Sequence, residues 1–339
     1  MKLKVKQILL FGLLLRMNVS YATPIDELPR LVTEEKRIKI PHYRNALNPS
    51  IAYWSGNLLL SFREHNGEES YIGLVKLDDN FNPIGTPQLL ETRFNDPQVP
   101  SRAEDARLIV VGDKLYAFFN DDRTPSGCGP RTMHVGEITS DGEHFYIKPE
   151  PFFKYDFVRG EGRVEKNWSP FQHLGELCCI YNTEPFRVLQ ILLGTNSTVT
   201  MSTDHRRIDW EWADSNGLRG GTPAILINDD EYLTFFHSNT WLGEIRQFFM
   251  GALIFSAHYP FLPKKISKIP LIGDNFYRWP IYVAKWGWGP SRVVYPGGLL
   301  MRGEDIYIVY GLDNHEVWVA KVNKNTLSLH MEDITWKKD

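Results

Sequence analysis

Cysteine is scarce in this chain, which has three of them among 339 residues: Cys128, Cys178 and Cys179. No Cys-x-x-Cys pair occurs, so the sequence offers neither a disulfide framework nor a cysteine-based metal site. Cys178 and Cys179 are neighbours, and on a strand they would face opposite sides, so we expect at most one to pack inward. Buried free thiols are the favoured interpretation, with a bridge from Cys128 to one neighbour as the alternative in an oxidising compartment.

Neither positive nor negative charge predominates in the sequence. The 38 Lys and Arg residues nearly balance 41 Asp and Glu residues, and the net charge is -3. No basic run occurs, so the sequence gives no support for a nucleic-acid partner. A Gly-x-Ser-x-Gly nucleophile elbow, a phosphate-binding Gly loop before a helix and a His-Glu-x-x-His helix are also absent from the sequence. We therefore expect no metal site and no bound cofactor.

Long hydrophobic runs are absent as well, and none approaches the roughly 20 residues that a membrane-spanning helix needs. A short apolar run from Ile8 to Leu15 follows Lys2, Lys4 and Lys6 and precedes the small-x-small site Ser20-Tyr21-Ala22. This pattern predicts a cleaved signal peptide over residues 1–22 and a single mature domain over 23–339. The protein would then be secreted, periplasmic or in the lumen of the secretory pathway, without a stable membrane span. A signal anchor is the less favoured alternative.

Amphipathic helical patterns are nearly missing, and short β-rich runs bounded by Gly, Asn and Asp dominate, which indicates an all-β fold. Five segments, roughly 60 residues apart, share one pattern: a polar or small start, an apolar strand, a turn, an aromatic strand and a polar end. They begin at Asn48, Glu104, Lys166, Gly220 and Val293.

Five such units predict a five-bladed β-propeller of four-stranded blades around a central pocket. A single blade cannot bury both of its faces, whereas a closed ring of blades can. The starts of the inner strands would then meet at one end of the central channel. This arrangement explains why the charged stretch from Arg102 to Arg107 directly precedes an apolar strand. A β-sandwich, or a chance repeat of ordinary hairpins, is the alternative.

The motifs, taken in order, resemble glycoside hydrolase family 130, the mannoside phosphorylases and their hydrolase relatives. The resemblance runs from about Asn48 to Val322 and covers the five segments. The stretches that carry it are "NPSI" with "LLLSFRE", "EDARL", "GPRTMHVGEIT", "EKNWSPF", "FFHSN" followed by "FFMGALIF", and "VVYPGGLLMRGEDIYIVYGLDN".

The resemblance implies an enzyme that acts on β-mannosidic or similar linkages with inversion. Its substrates would be oligosaccharides or glycosides, and inorganic phosphate or a sugar phosphate would be the co-substrate. The chain departs from the family pattern at Ala106, Asn167, Ser238 and Gly297, where the family has Pro, Asp, Gly and Cys, and "GLRGGTPAI" is distinctive. Three alternatives stay open: a hydrolase or a mannosyltransferase on the same scaffold, and a non-catalytic glycan-binding propeller. The sequence does not give the oligomeric state.

Asp105 matches the family's catalytic Asp, which passes its proton to the leaving oxygen through a sugar hydroxyl. Cleavage of a glycosidic bond needs such an acid together with a nucleophile on the opposite face of the sugar. Burial beside Glu104 would raise the pKa of Asp105 and help it to hold a proton. The alternative is that Asp105 pairs with Arg107 and only closes a blade.

The anion-binding candidates are basic residues at matching positions, because a phosphate nucleophile needs convergent cations and arginine suits bidentate oxyanion contacts. They are Arg131, Lys166, His237 and, at a blade end facing the pocket, Arg63. A hydrolase would need a carboxylate there instead. Export of the protein favours hydrolysis or transfer, whereas the basic set favours phosphate. Solvated strand-end charges and a buried core histidine are the alternatives.

The substrate-binding candidates combine aromatic faces, which pack on the C–H faces of sugars, with polar groups that bind hydroxyls. They are Asn48, Glu104, Arg107, Trp168, Tyr295 and Asp313. The charged loop over residues 204–214, "DHRRIDWEWAD", is a further candidate for shaping the acceptor side.

Overall fold

The computed structural model describes residues 25–67, 69–92, 101–124, 127–149, 153–158, 164–278, 281–283 and 289–338. Within these ranges the chain is all-β, with 24 strands and one short helix, α1 (Lys324–Leu329). Single turns of 3-10 helix lie at Ile25–Glu27 and Leu193–Thr195. The expectation of an all-β fold is therefore confirmed.

The strands follow the chain from one sheet to the next. The N-terminal strand is β1 (Val32–Arg37). The first sheet contains β2 (Leu47–Trp54), β3 (Asn57–His65), β4 (Ser70–Leu77) and β5 (Pro83–Leu89). The second contains β6 (Glu104–Val111), β7 (Lys114–Thr124), β8 (Gly127–Ser140) and β9 (Phe145–Pro149). The third contains β10 (Ser169–His173), β11 (Glu176–Thr183), β12 (Phe186–Leu192) and β13 (Ser197–Asp204).

The remaining strands form two further sheets. The first five of these strands along the chain are β14 (Arg219–Gly220), β15 (Ile225–Asn228), β16 (Glu231–Leu242), β17 (Ile245–Ser256) and β18 (Pro263–Ser267). Two short strands follow, β19 (Tyr282–Val283) and β20 (Pro290–Arg292). The last are β21 (Val294–Arg302), β22 (Asp305–Leu312), β23 (Glu316–Asn323) and β24 (Met331–Asp333).

Four of these sheets are four-stranded blades. The first three are antiparallel sheets whose strands neighbour one another in chain order. The fourth has the order β1-β23-β22-β21, so the N-terminal strand supplies the outer edge of a blade otherwise built from the C-terminal part of the chain. In this ring-closing blade, Glu35 of β1 pairs with Ala320 of β23. Joining the two ends of the chain in one sheet closes the propeller and removes two exposed strand edges.

The prediction of five four-stranded blades is wrong in its count, because the structure has four. The other sheet, hereafter the enlarged sheet, contains eight strands: β14 to β20 and β24. Its inner edge is divided into two short strands, β14 and β15, which both pair with β16. On the far side, β20 runs parallel to β17, and β24 pairs with β18. The extra strands come from the chain between β18 and β21 and from the C-terminus.

The core consists of apolar layers between neighbouring sheets. Ile51 and Ala52 are adjacent on β2, yet they pack in different layers, one toward the ring-closing blade and the other toward the second blade. Cys178 and Cys179 divide in the same way between the two faces of the third blade. Both thiols are free and buried, so the expectation that at most one packs inward is wrong. A propeller blade is covered on both faces, and alternation along its strands therefore buries both neighbours.

Three inner strands start with a residue in the left-handed backbone region. Asn48, Asp105 and Asn167 have φ values of 45°, 59° and 63°. Asn and Asp tolerate this region better than other residues with a side chain. The register of strand pairing shifts beside Asn48 in β2 and beside Asp105 in β6. Such bulges redirect a side chain out of the regular alternation of a strand, and here they occur at the same end of successive blades.

The predicted signal peptide, residues 1–22, lies outside the described residues, and so does the side chain of Cys128. The signal peptide and its cleavage therefore stay predictions, whereas the alternative of a bridge from Cys128 to Cys178 or Cys179 is wrong because both of these thiols are free. No helix among the described residues has the length and apolar character required to cross a bilayer.

Candidate functional site

Asp105 lies at the centre of the propeller end where the inner strands start. The Asn48 amide nitrogen donates a hydrogen bond to Asp105 Oδ1 at 2.8 Å, which joins the first and second blades. The Nη1 of Arg63 lies 3.6 Å from the same oxygen. Both Asn48 and Asp105 are buried. The two residues meet because each occupies the bulge of its own strand.

Asp105 is held in its ionised form. Burial by itself raises the pKa of this carboxyl, but Arg63, Lys166 and the Asn48 amide favour the carboxylate and together bring the pKa below its usual value. The sequence-based suggestion of a raised pKa for Asp105 is therefore wrong in direction. The cause is the number of cations around the carboxylate, which outweighs its removal from water.

Glu104 forms ion pairs with three of the four predicted anion-binding residues. Its Oε1 lies 2.7 Å from Nη2 of Arg63 and 2.7 Å from Nη2 of Arg131. Its Oε2 lies 3.2 Å from Nζ of Lys166. Arg131 also lies 3.7 Å from a carboxylate oxygen of Asp122. The structure thus brings Arg63, Arg131 and Lys166 together as predicted, but around a carboxylate of the protein itself. We call these three residues and Glu104 the Glu104 cluster.

His237 lies apart from the Glu104 cluster, on β16 of the enlarged sheet. Its ring centroid is 5.1 Å from that of Tyr295, which starts the inner strand of the ring-closing blade. Burial, assisted by the charges of Arg219 and Arg107, holds the pKa of His237 well below its usual value. The lowered pKa favours the neutral imidazole, which can still donate one hydrogen bond, so the assignment of His237 to the anion site stays a prediction.

Arg107 connects the inner strands through two of its three guanidinium nitrogens. Its Nη2 donates to the Tyr295 hydroxyl at 2.6 Å and to the carbonyl oxygen of Gly220 at 3.1 Å. Its Nε donates to the carbonyl oxygen of Gly221. The side chain is fully buried. Its Nη1 has no hydrogen-bond partner among the described residues, so the substrate contact of Arg107 stays a prediction.

Close approach around the axis explains part of the distinctive "GLRGGTPAI" stretch. A Cβ atom at Gly220 would overlap the carbonyl oxygen of Asn167. A Cβ atom at Gly297, where the related family has Cys, would overlap the carbonyl oxygen of Pro49. Glycine is required at both positions because the backbones of neighbouring blades touch there.

Trp168 does not line a sugar site. Its side chain is 0% exposed and packs in the layer between the second and third blades, with its ring 5.4 Å from that of Tyr181. Its indole nitrogen donates to Glu165 at 3.3 Å. Because no face of the ring is accessible, the prediction that Trp168 binds substrate is wrong. Trp168 directly follows Asn167, which has a positive φ of 63°.

Asp313 follows β22 at the same end as Tyr295, since Tyr295 pairs with Gly311. Its Oδ1 accepts a hydrogen bond from the Val293 backbone nitrogen at 3.0 Å. Burial raises the pKa of Asp313 to about 6. The raised carboxyl pKa that the sequence suggested for Asp105 is thus found at Asp313, where fewer cations offset the burial.

Sequence reasoning missed Arg219, Asn239 and Arg246 on the enlarged sheet. Arg219 pairs with His237 across β14 and β16, and the Nε of Arg246 donates to Asn239 Oδ1 at 2.8 Å. The only signal was the unusual stretch "GLRGGTPAI", which contains Arg219. Nothing in the sequence places Arg246, on β17, beside Arg219.

Comparison with known proteins gives structural neighbours only. No family model and no curated protein matches the sequence. A β-1,2-mannobiose phosphorylase from Listeria innocua, in complex with β-1,2-mannobiose, has a TM-score of 0.60 and 15% identity, over 90% of this chain and 95% of that one. A mannose phosphorylase from Leishmania mexicana, in complex with phosphate ion, has a TM-score of 0.57 and 10% identity, over 91% and 93%.

A third neighbour belongs to the GH130 family of mannoside phosphorylases, which contains glycoside hydrolases that target β-1,2 mannosidic linkages in Candida mannan. It has a TM-score of 0.58 and 14% identity, over 83% of this chain and 85% of that one. The TM-scores of these three neighbours, at identities of 10–15%, establish a shared fold. The resemblance inferred from the motifs is thereby confirmed at the level of the propeller scaffold.

Proposed function

We propose that the protein is a carbohydrate-active enzyme of the glycoside phosphorylase and hydrolase type, which acts on β-mannosidic or similar linkages with inversion. One observation carries the proposal: Asp105 is buried on the propeller axis, bound by Asn48 and placed 3.6 Å from Arg63 beside the Glu104 cluster. An acid beside convergent cations is the arrangement that phosphorolysis of a glycoside requires. The mannoside phosphorylases among the structural neighbours support the same substrate class.

In the forward reaction, an oxygen of inorganic phosphate attacks the anomeric carbon while the bond from that carbon to the leaving oxygen breaks. The leaving oxygen takes a proton that originates on Asp105 and passes through a sugar hydroxyl. Lys166 keeps two of its three ammonium hydrogens for phosphate, because it uses one on Glu104. Its side chain is 38% exposed, so the cluster is accessible from its Lys166 side.

The ion pairs made by both carboxylate oxygens of Glu104 favour phosphorolysis over hydrolysis. An inverting hydrolase needs a carboxylate that can accept a proton from water. Both oxygens of Glu104 already bind cations, with Arg63 and Arg131 on one and Lys166 on the other. Glu104 is therefore engaged as an organiser of cations instead of being available as a base.

A second candidate function, transfer from a sugar phosphate, is favoured by the ionised state of Asp105. By microscopic reversibility, the synthetic direction needs Asp105 as a base that accepts the proton of the acceptor hydroxyl. A carboxylate whose pKa lies below its usual value starts in the form required for that direction. The propeller mannosyltransferase alternative rests on this observation.

The test is to supply the purified protein with β-mannobiosides and manno-oligosaccharides, with and without inorganic phosphate, and to quantify mannose and mannose 1-phosphate separately. A parallel reaction supplies mannose 1-phosphate and manno-oligosaccharide acceptors and measures phosphate release. Mannose 1-phosphate formed only with phosphate supports the phosphorylase. Mannose formed without phosphate indicates a hydrolase, and elongation alone indicates a transferase.

The matched variants are Asp105→Asn and Asp229→Asn, which make the same chemical change at a buried axial position and in an exposed turn. We expect Asp105→Asn to reduce turnover by a factor of about 100 or more, the usual contribution of a positioned acid or base. Asp229→Asn should match the unaltered protein. Full activity of folded Asp105→Asn would remove Asp105 from the mechanism, and absence of activity in every reaction would favour a glycan-binding module.

A further inference from the structure

Two arginines on the enlarged sheet lie close together at the end of the propeller that holds Asp105. Arg219 is on β14, and Arg246 is at the start of β17, one strand beyond His237. The positive charge of each guanidinium, like that of Arg107, lowers the pKa of His237. Burial and the neighbouring charge of Arg246 lower the pKa of Arg219. Two like charges are therefore held near each other in a half-buried setting.

The positive charge of Arg219 is not balanced as that of the Glu104 cluster is. Arg63, Arg131 and Lys166 each have a carboxylate oxygen within 4 Å. Across the part of the chain that the structure describes, the Arg219 side chain has no such ion pair and no hydrogen bond, and the carboxylate whose charge acts on it most is Asp214. A partly buried cation without a bound carboxylate raises the folding cost of the site unless a ligand supplies the anion.

Buried polar atoms without hydrogen-bond partners lie beside these arginines. Asn239 is fully buried, and its Oδ1 accepts from Arg246 while its Nδ2 has no acceptor among the described residues. The Nδ1 of His237, which is also buried, has no partner there either. Native proteins seldom leave such atoms unsatisfied, and a site with unused donors next to cations has the chemistry that recognises an oxyanion.

A continuous series of ring contacts links this site to the axis. The guanidinium of Arg107 lies 5.4 Å from the ring of Tyr295, whose ring lies 5.1 Å from that of His237. His237 in turn lies 6.3 Å from Phe248, over which the guanidinium of Arg246 is placed at 5.2 Å. Asp105, Arg219 and Arg246 all act on the pKa of His237, so the two arginines lie at the same end of the propeller as the carboxyl group of the proposed reaction.

We propose that Arg219, Arg246 and Asn239 form an oxyanion subsite that binds a phosphate or carboxylate group, carried by the sugar or supplied as free phosphate. The proposal rests on the proposed function for its placement beside a reacting sugar. It is separate from the Glu104 cluster, because Arg219 and Arg246 lie on the enlarged sheet and Arg219 has no ion pair with a carboxylate among the described residues. It makes acidic sugars and sugar phosphates the preferred substrate class over neutral mannosides.

The experiment measures binding by calorimetry, so that it does not depend on turnover. The probes are mannose 1-phosphate, glucuronate, inorganic phosphate and neutral β-1,2-mannobiose. They are applied to the unaltered protein and to Arg219→Gln, Arg246→Gln and Lys166→Gln. Arg219→Lys retains the charge, and Arg44→Gln makes the same change at an exposed position elsewhere. Circular dichroism and thermal unfolding confirm that each variant is folded.

We expect Arg219→Gln and Arg246→Gln to weaken binding of the anionic probes about 10- to 100-fold, which corresponds to the loss of one charged hydrogen bond. Arg219→Lys should recover part of the loss, and mannobiose binding should stay within twofold. If inorganic phosphate alone shows the loss, free phosphate is the ligand. If only the sugar-linked anions show it, the anion belongs to the substrate.

Two outcomes would overturn the subsite. One is that Arg219→Gln and Arg246→Gln bind every anionic probe as well as Arg44→Gln does, while Lys166→Gln loses that binding. The other is that the unaltered protein binds none of the anionic probes. Failure of the proposed function would look different, since the anions would bind at Arg219 while no mannoside was cleaved or extended.

Discussion

Replacing Glu104 by Gln should destabilise the protein and at the same time sensitise it to phosphate. The substituted amide would keep an oxygen acceptor but would present an N–H donor to one group of cations, and the charge that Arg63, Arg131 and Lys166 share would be lost. The contacts to the two arginines are both 2.7 Å and involve side chains that are 15% and 16% exposed. The contact to Lys166 is 3.2 Å, and that side chain is 38% exposed.

The magnitude follows from this difference in exposure. Each largely buried charged hydrogen bond to an arginine contributes about 1.5–3 kcal/mol, and Gln retains part of one of them. The more exposed lysine pair contributes about 0–1 kcal/mol because water screens it. The expected loss in the free energy of unfolding is therefore about 3 kcal/mol, which for a chain of this size corresponds to a fall in Tm of about 5 °C. Glu137→Gln is the matched control, because its pair with Lys114 at 3.1 Å is exposed and should cost less than about 1 kcal/mol.

Phosphate provides the second half of the measurement. Without Glu104, phosphate can take the place of the carboxylate among the three cations, and at about 100 times its Kd it stabilises the folded state by about 2.7 kcal/mol. Differential scanning calorimetry of Glu104→Gln with increasing inorganic phosphate should recover most of the lost Tm, with a smaller shift for the unaltered protein. Equal Tm values for Glu104→Gln and Glu137→Gln would refute the role of Glu104, and equal phosphate shifts for Glu104→Gln and the unaltered protein would refute the replacement of the Glu104 carboxylate by phosphate.

Three further predictions test individual assignments. The pKa of Asp313 is about 6 in the folded protein and near 4 when unfolded, so the folded state binds more protons between these values. The stability of the unaltered protein relative to Asp313→Asn should therefore fall by about 2 kcal/mol as the pH rises from about 4 to above 6. Urea unfolding measures this difference, and a parallel pH dependence of the two proteins would contradict the prediction. Trp168→Phe should lower Tm through lost packing and leave KM within twofold, whereas a selective rise in KM would restore a substrate contact to Trp168. Gly297→Ala should cost more than about 2 kcal/mol because its Cβ meets the Pro49 carbonyl, and Gly194→Ala, with open space around its Cβ, should cost far less.

The fold was largely predictable because a propeller repeats its local pattern. Alternating apolar runs with turn residues between them mark strands, and their recurrence at Asn48, Glu104 and Lys166 marks blades. The enlarged sheet was less predictable, although the longest interval, from Gly220 to Val293, contains the added strands β19 and β20. Pairing of β20 with β17 and of β24 with β18 joins segments far apart in the chain, and no local pattern specifies it.

The site was predictable in its residue types and less so in its electrostatics. The motif around Glu104 and Asp105 did bring Arg63, Arg131 and Lys166 together, since all lie at blade ends that face one axis. The pKa of Asp105 depends on how many of these cations point at it, which the sequence does not show. Trp168 illustrates the same limit, because the sequence does not show whether its ring faces the channel or packs, as it does, in the layer between two blades.

The charge around Asp105 couples its protonation to the arrival of an anion. Arg63 and Lys166 favour its carboxylate, against the effect of burial. A phosphate bound at Lys166 adds negative charge near both cations and cancels much of their field at Asp105, while excluding water from the site strengthens the effect of burial. In the phosphorolysis that we propose, the pKa of Asp105 would then rise, so the acid form needed for bond cleavage would become favourable only when the nucleophile is present. In the synthetic direction the order reverses, because departure of phosphate restores the carboxylate and returns the site to the state in which it can accept a proton again.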